Sequence, residues 1–147
     1  DLLKNKLYLV GGKHSAHTNT KSLSIFKDLP IIFREAGSGT RQTMETYFNK
    51  HSVPVLKTME LSTNEAVKQA ILAGLGYSIM PLIGIRNELH NQDLHIIPVK
   101  GLPIVTTWSL IWLKGKKHSP LALAYLAFLK QQRLEIVHKE FGWYEQY

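Results

Sequence analysis

Short apolar runs rich in β-branched residues alternate with stretches of helical spacing along most of the chain. Leu7 to Gly11 reads as a strand ending at Gly11-Gly12, and Lys13 to Thr20 is polar and turn-like. Pro30-Ile31-Ile32-Phe33 is a second short strand, and it runs into the turn Arg34-Glu35-Ala36-Gly37-Ser38-Gly39-Thr40-Arg41. Met44, Tyr47 and Phe48 then recur at helical spacing, predicting a helix that buries one face and ends near Asn49 to Ser52. Val53 to Leu61 leads into another strand. Ser62 and Glu65 have the spacing of a capping box, ahead of a helix with Val67, Ala70, Ile71 and Gly74 on its inward stripe and Gly74 or Gly76 at its close. Tyr77-Ser78-Ile79-Met80 is a short strand stopped by Pro81. Strand, helix, strand, helix, strand is the order of an open α/β lobe with a mainly parallel sheet.

Beyond the polar segment Arg86 to Asp93, Leu94 to Val99 reads as a further strand. Thr106 to Leu113 is longer and more continuously apolar, the pattern of a buried strand. Ser119-Pro120 supplies an N-cap and a proline at the first helical position, and Leu121, Ala124, Tyr125, Phe128 and Leu129 form the stripe of the helix that follows. The tail from Arg133 to Tyr147 is mixed, with Ile136, Phe141, Trp143 and Tyr144 suited to packing on a neighbour.

At 147 residues and 44% hydrophobic, the chain has enough apolar material for one domain or for two small lobes sharing a core. It has no cysteine, so disulfides and thiolate metal sites are excluded. No stretch approaches the ~20 apolar residues that span a bilayer, and the first residues lack the apolar segment of a signal peptide. These features predict a soluble, intracellular protein. A start at Asp1, with a strand almost at once, predicts a piece of a longer protein. The net charge of +7 invites a nucleic-acid reading. However, the charges are scattered, and the one dense run, Lys114 to His118, falls where a solvated turn is expected. No helix-turn-helix, zinc-finger or RNA-binding signature is visible, so DNA is not expected to bind this segment itself.

The chemistry concentrates in the turn after Phe33. Gly37 and Gly39 permit backbone angles closed to other residues. The first amides of the following helix lack intrahelical acceptors and sit at the positive end of its dipole. Ser38 and Thr40 add hydroxyls and Arg41 adds charge, a combination suited to a carboxylate or phosphate group. The same residues equally suit an N-cap and a simple turn. Both this turn and Met80-Pro81 lie at strand carboxyl ends, where ligands of open α/β sheets gather.

Enzyme signatures are missing. Gly37-Ser38-Gly39 lacks the spacing of a nucleophile elbow, and the turn lacks the glycine-lysine ending of a Walker loop and the third glycine of a dinucleotide fingerprint. Glu35 and Glu65 fit capping or surface roles better than a general acid-base pair. His14 and His17 have metal-compatible spacing but no third ligand nearby, and exposed loop histidines are the simpler reading. No catalytic residue, metal or cofactor is expected.

Three segments together resemble a known family: Arg34 to Arg41, Leu61 to Ile71 (LSTNEAVKQAI) and Ala73 to Pro81 (AGLGYSIMP). With Gly101 to Ile104, the Trp108 to Leu113 strand and the Ser119-Pro120 helix following in the same order, the chain resembles the effector-binding domain of LysR-type transcriptional regulators. The resemblance runs from about Leu7 to about Leu129. It implies an α/β, periplasmic-binding-protein-like (type 2) open sheet: one complete lobe plus the returning part of the other, with a small molecule held between lobes. In that picture residues 1–147 are a partial effector-binding domain. The second lobe spans 11–95, residues 1–10 and 96–132 are the crossover and the returning part of the first lobe, and 133–147 is a C-terminal tail.

The resemblance implies a small, anionic effector held by Gly37, Ser38, Gly39, Thr40 and Arg41, with Met80 and Pro81 at the facing strand end. It also implies a cytoplasmic homodimer or tetramer that meets DNA and RNA polymerase through the full-length protein, with no membrane partner. Two alternatives share the fold: an anion-binding lobe of a solute receptor, and a fragment of a biosynthetic enzyme.

Overall fold

In the computed structural model β1 (Leu3–Gly12) pairs antiparallel with β4 (Ser78–Pro81) on one side and β5 (Leu94–Ile97) on the other, and a separate two-stranded sheet lies beside them. The structure describes residues 1–15 and 21–147. They divide into two compact units: Asn5–Val105, and Asp1–Lys4 with Thr106–Tyr147.

Within the first of these units, β2 (Pro30–Arg34) and β3 (Leu56–Leu61) pair in parallel. Ile31 stands opposite Lys57 while Ile32 stands opposite Met59, so Thr58 is an extra residue, and its hydroxyl donates to the Ile31 carbonyl at 3.3 Å. β2 is tied to the start of β4: Tyr77 N–H donates to Pro30 C=O at 2.9 Å and Ile32 N–H to Tyr77 C=O at 2.7 Å. Gly76 makes this junction possible, because a Cβ there would lie 2.5 Å from the Pro30 carbonyl oxygen. The expected mainly parallel sheet is thus corrected in part. β2, β3 and β4 run parallel, but β1 opposes both of its neighbours β4 and β5. An apolar run marks a strand without stating its direction.

Alternation along β2 places Ile31 and Phe33 in one core and Ile32 on the other face. α1 (Gly39–Lys50) covers the first face with Met44, Tyr47 and Phe48. There they meet Phe26, from a 3₁₀ turn at Leu23–Lys27 that the sequence pattern did not announce. Phe26 lies edge-on to Phe48 at 5.0 Å and to Tyr47 at 6.0 Å between ring centroids. The Tyr47 hydroxyl donates to Lys100 C=O at 2.7 Å, and burial pushes its pKa up to about 12. α2 (Asn64–Leu72) packs on β2, β3 and β4 with Val67, Ala70 and Ile71 inward. A short helix, α3 (Arg86–His90), occupies the polar segment and sends Glu88 to Lys68 at 2.7 Å.

The expected Ser62–Glu65 capping box does not form. Thr63 is the N-cap: its backbone is extended, and its hydroxyl accepts from Ala66 N–H at 3.0 Å. Ser62 is used differently, its carbonyl accepting from Arg34 at 3.3 Å, while Glu65 pairs with Lys68 at 2.9 Å and accepts from Gln69 at 2.9 Å.

In the second unit, β6 (Ile104–Trp108) enters from Val105, and Leu2 N–H donates to Trp108 C=O at 2.7 Å. The buried strand expected through Leu113 stops here. Ile111 is 86% and Leu113 75% exposed, because continuous apolarity carries no record of whether a pairing strand is at hand. Leu113 to Lys116 forms a turn, closed by Lys116 N–H to Leu113 C=O at 3.1 Å, and Lys114, Lys116 and Lys117 are exposed on it as expected. α4 (Pro120–Phe141) is capped by Ser119, which accepts from Ala122 N–H at 3.2 Å. It continues twelve residues past Leu129, through the start of the mixed C-terminal segment, and Phe141 and Trp143 close on Tyr144 at 5.7 and 4.6 Å.

Assignment of the α2 cap to Thr63 predicts that Thr63→Ala costs about 1 kcal/mol of stability. Ser62→Ala stays within about 0.5 kcal/mol of the parent. Urea denaturation of both variants measures the difference, and equal losses would contradict the cap assignment.

Candidate functional site

β2 and β3 form a two-stranded parallel sheet, bridged in parallel to the start of β4 at Ile31 and Tyr77, so the carboxyl ends of all three strands point the same way. The turn 35–38 leaves β2 at its carboxyl end. Glu35 N–H donates to Leu61 C=O at 3.1 Å, carrying the β2–β3 ladder one step past the strand, and Ser38 N–H donates back to Glu35 C=O at 3.2 Å. Gly37 sits between them at φ +90°, a backbone angle that strains any residue with a Cβ. Ser38 is the N-cap of α1, and its Oγ accepts from Arg41 N–H at 3.5 Å.

This cap satisfies the amide of the third helical residue and leaves those of Gly39 and Thr40 without an intrahelical acceptor. Gly39 is exposed, and Ser38 and Thr40 are half-buried. An accepting hydroxyl keeps its own proton to donate, so Ser38, Thr40 and the two amides form a donor-rich, electropositive rim. α1 packs against both β2 and β4, and β4 runs parallel to β2, toward the side on which this rim lies. Met80 and Pro81 are themselves buried there, Met80 opposite Tyr8 of β1.

The cations flanking the turn are already engaged. Arg34 holds Glu35 through two bonds, 2.7 and 2.9 Å long, and reaches Asn64 Oδ1 and Ser62 C=O at the start of α2. Arg41 donates to Glu45 at 2.7 Å, to Glu60 at 2.6 Å and to Arg34 C=O at 3.2 Å. Its guanidinium also lies 6.0 Å from the Phe33 ring centroid. The hydrogen bond from Arg34 holds the Glu35 carboxyl below its ordinary range, and those from Lys57 and then Arg41 do the same for Glu60. The polar pull on an anion at this rim therefore comes from amides, hydroxyls and the helix dipole.

Asn64 and Glu60 escaped the sequence reading, because each meets its arginine across 30 and 19 residues respectively. Glu35 and Glu65 are each held by a cation, Arg34 at 2.7 Å and Lys68 at 2.9 Å. At the opposite edge of the sheet, His14 borders a cavity of about 340 Å³ with Lys13, Ser15 and Asp93. His17, its expected companion, lies outside the described residues. Among the described residues, no group of three His, Asp or Glu side chains is placed to hold a metal ion. Nor is any described helix long and apolar enough to cross a membrane.

An open α/β sheet with a donor-rich turn at its carboxyl edge defines a binding domain of the periplasmic-binding-protein type. Comparison with known proteins names the family: residues 1–133 match the LysR substrate binding domain, and the chain belongs to that family. The chain is 37% identical over 127 residues to the RuBisCO operon transcriptional regulator of Acidithiobacillus ferrooxidans, covering 85% of this chain and 41% of that protein. It is 35% identical over 129 residues to the HTH-type transcriptional activator CmpR of Synechocystis, covering 86% and 42%. Among solved structures, the CcmR regulatory domain of Synechocystis PCC6803, in complex with 2-PG, superposes with a TM-score of 0.81 at 31% identity, over 87% of this chain and 62% of that one. The chain thus spans about two fifths of the length of the curated relatives it matches.

Since Glu60 titrates below its ordinary 4.5, its ion pairs stabilise the fold above that pH, and their contribution is lost as pH falls through the folded-state value. Arg41→Gln is expected to move the Glu60 carboxyl back toward 4.5, with Lys57 retaining part of the depression. A carboxyl-carbon NMR titration reads this directly, and an unmoved Glu60 would show that Arg41 is not its partner.

Proposed function

We propose that this chain is the effector-sensing part of a LysR-type transcriptional regulator, and that its effector is a small anion held at the Ser38-capped turn. The observation that carries the reading is the pair of acceptorless amides at Gly39 and Thr40, ringed by two hydroxyls, at the carboxyl edge of the sheet. Gly37 shapes the turn, and Ser38, Gly39 and Thr40 supply donors. Buried Met80 and Pro81 form the backing at the end of β4. Arg41, spent on Glu45 and Glu60, orients α1 and contributes to the site at a distance. The 2-PG held by CcmR, a small anionic effector, is of the chemistry that such a rim favours.

In this reading the protein is not an enzyme: the anion acts by binding one conformational state better than another, and only that difference in affinity does work. The full-length protein is a cytoplasmic homodimer or tetramer. It binds DNA and meets RNA polymerase through parts other than this chain, with no cofactor and no membrane partner.

Thr40→Val removes one hydroxyl at nearly constant volume. In the full-length regulator it is expected to weaken 2-PG binding roughly tenfold, as loss of a hydrogen bond to a charged group does, with thermal stability kept. Calorimetry measures the affinity. Equal affinities for parent and variant would remove Thr40 from the site, and no 2-PG binding by either would remove 2-PG as the effector.

A further inference from the structure

Arg34 stands where the turn after β2 meets the start of α2. Its side chain is largely buried, with 15% exposed, and its guanidinium is bonded to three residues. Nε and Nη2 grip Glu35 at 2.7 and 2.9 Å, Nη2 also reaches the Ser62 carbonyl at 3.3 Å, and Nη1 donates to Asn64 Oδ1. Consecutive strand residues point to opposite faces, so a two-bond grip between Arg34 and Glu35 requires the chain to have left the strand at Glu35. The grip therefore holds the first residue of the turn in its turned position, ahead of Gly37 at φ +90°. On the backbone side, the Arg34 carbonyl accepts from Arg41 of α1 at 3.2 Å. One residue thus ties both helix starts to the end of β2.

Asn64 is the far anchor of this arrangement. It is half-buried and is the first residue of α2, directly after the Thr63 cap. A guanidinium carries donors only, so the amide atom facing Arg34 is the oxygen, and the side-chain amide has one settled orientation. Without that acceptor Nη1 loses its partner, and a guanidinium held largely out of water turns to find another. Alanine at this position does not harm α2 itself, because it is the better helix former. A role confined to α2 would therefore leave the turn before α1 unmoved.

We infer that Asn64 is a positioning residue of the anion site. By accepting from Arg34 it sets the guanidinium that holds Glu35, and through Glu35 the backbone that presents the Gly39 and Thr40 amides. The inference rests on the proposed reading of the Ser38 turn as the effector site. It places part of the control of effector affinity on α2, in a residue that acts through Arg34.

The test compares Asn64→Ala, Asn64→Asp, Arg34→Lys and the Asn64→Ala, Arg34→Lys double variant of the full-length protein. Without ligand, NMR of glycine-labelled protein is expected to show the Gly37 and Gly39 amides shifted in Asn64→Ala. They are expected to return toward their parent positions in Asn64→Asp, which keeps an acceptor for Arg34. By calorimetry, Asn64→Ala is expected to weaken 2-PG about fivefold with thermal stability kept, and to change affinity less than about twofold once residue 34 is lysine. Unmoved Gly37 and Gly39 signals in Asn64→Ala, no return in Asn64→Asp, parent-like 2-PG affinity in Asn64→Ala, or an equal loss of affinity in both backgrounds would each overturn the inference. A parent that binds no 2-PG while these signals move and return would instead remove 2-PG as the effector and support the positioning of the turn by Asn64.

Discussion

The parallel pairing of β2 with β3 is the constraint on which the candidate site depends. It ends both strands at one sheet edge, so the helices that follow them, α1 and α2, start side by side. The ladder runs one bond past the strands, from Glu35 to Leu61, and Arg34 then joins the two helix starts by gripping Glu35, Asn64 and the Ser62 carbonyl. A helix start is an anion cradle only if its amides are held still and left uncapped by anything but their own first residue. Here the ladder does the first, and Ser38, bonded to Arg41 N–H, leaves the Gly39 and Thr40 amides open.

Electrostatics at this edge are arranged for shape rather than for net charge. Arg34, Arg41 and Lys68 are each neutralised by carboxylates, which fixes the position of the arginines' backbone neighbours while removing strong unpaired cations from the rim. An anion held by amides and hydroxyls alone is bound by direction and fit. Such binding would be sensitive to small movements of α1, as the proposed sensing role requires.

Much of this was legible in the chain. The Gly37-Ser38-Gly39-Thr40 turn, the α1 stripe of Met44, Tyr47 and Phe48 and the Ser119-Pro120 start of α4 are local patterns, and each formed where its spacing placed it. The family, too, was legible, because three separated motifs occur in one order. What failed to show was non-local. The direction of β1, the partner that Thr106 to Leu113 lacked beyond Trp108, and the reach of Arg41 to Glu60 all depend on residues distant in sequence. The α2 cap illustrates a narrower failure: Ser62 and Thr63 are both good cap residues, and only the demand of Arg34 for the Ser62 carbonyl marks which of them stands outside the helix. The position of the turn was therefore readable from sequence, while the neutralised state of Arg41 was not.

The central claim is that an anion sits on the open amides of α1. A crystal structure of the full-length protein grown with 2-PG tests it most directly. The account predicts a ligand oxygen within hydrogen-bond distance of the Gly39 and Thr40 amides and of the Thr40 hydroxyl, with Arg41 still on Glu45 and Glu60. A bound ligand making no contact with these amides would contradict it.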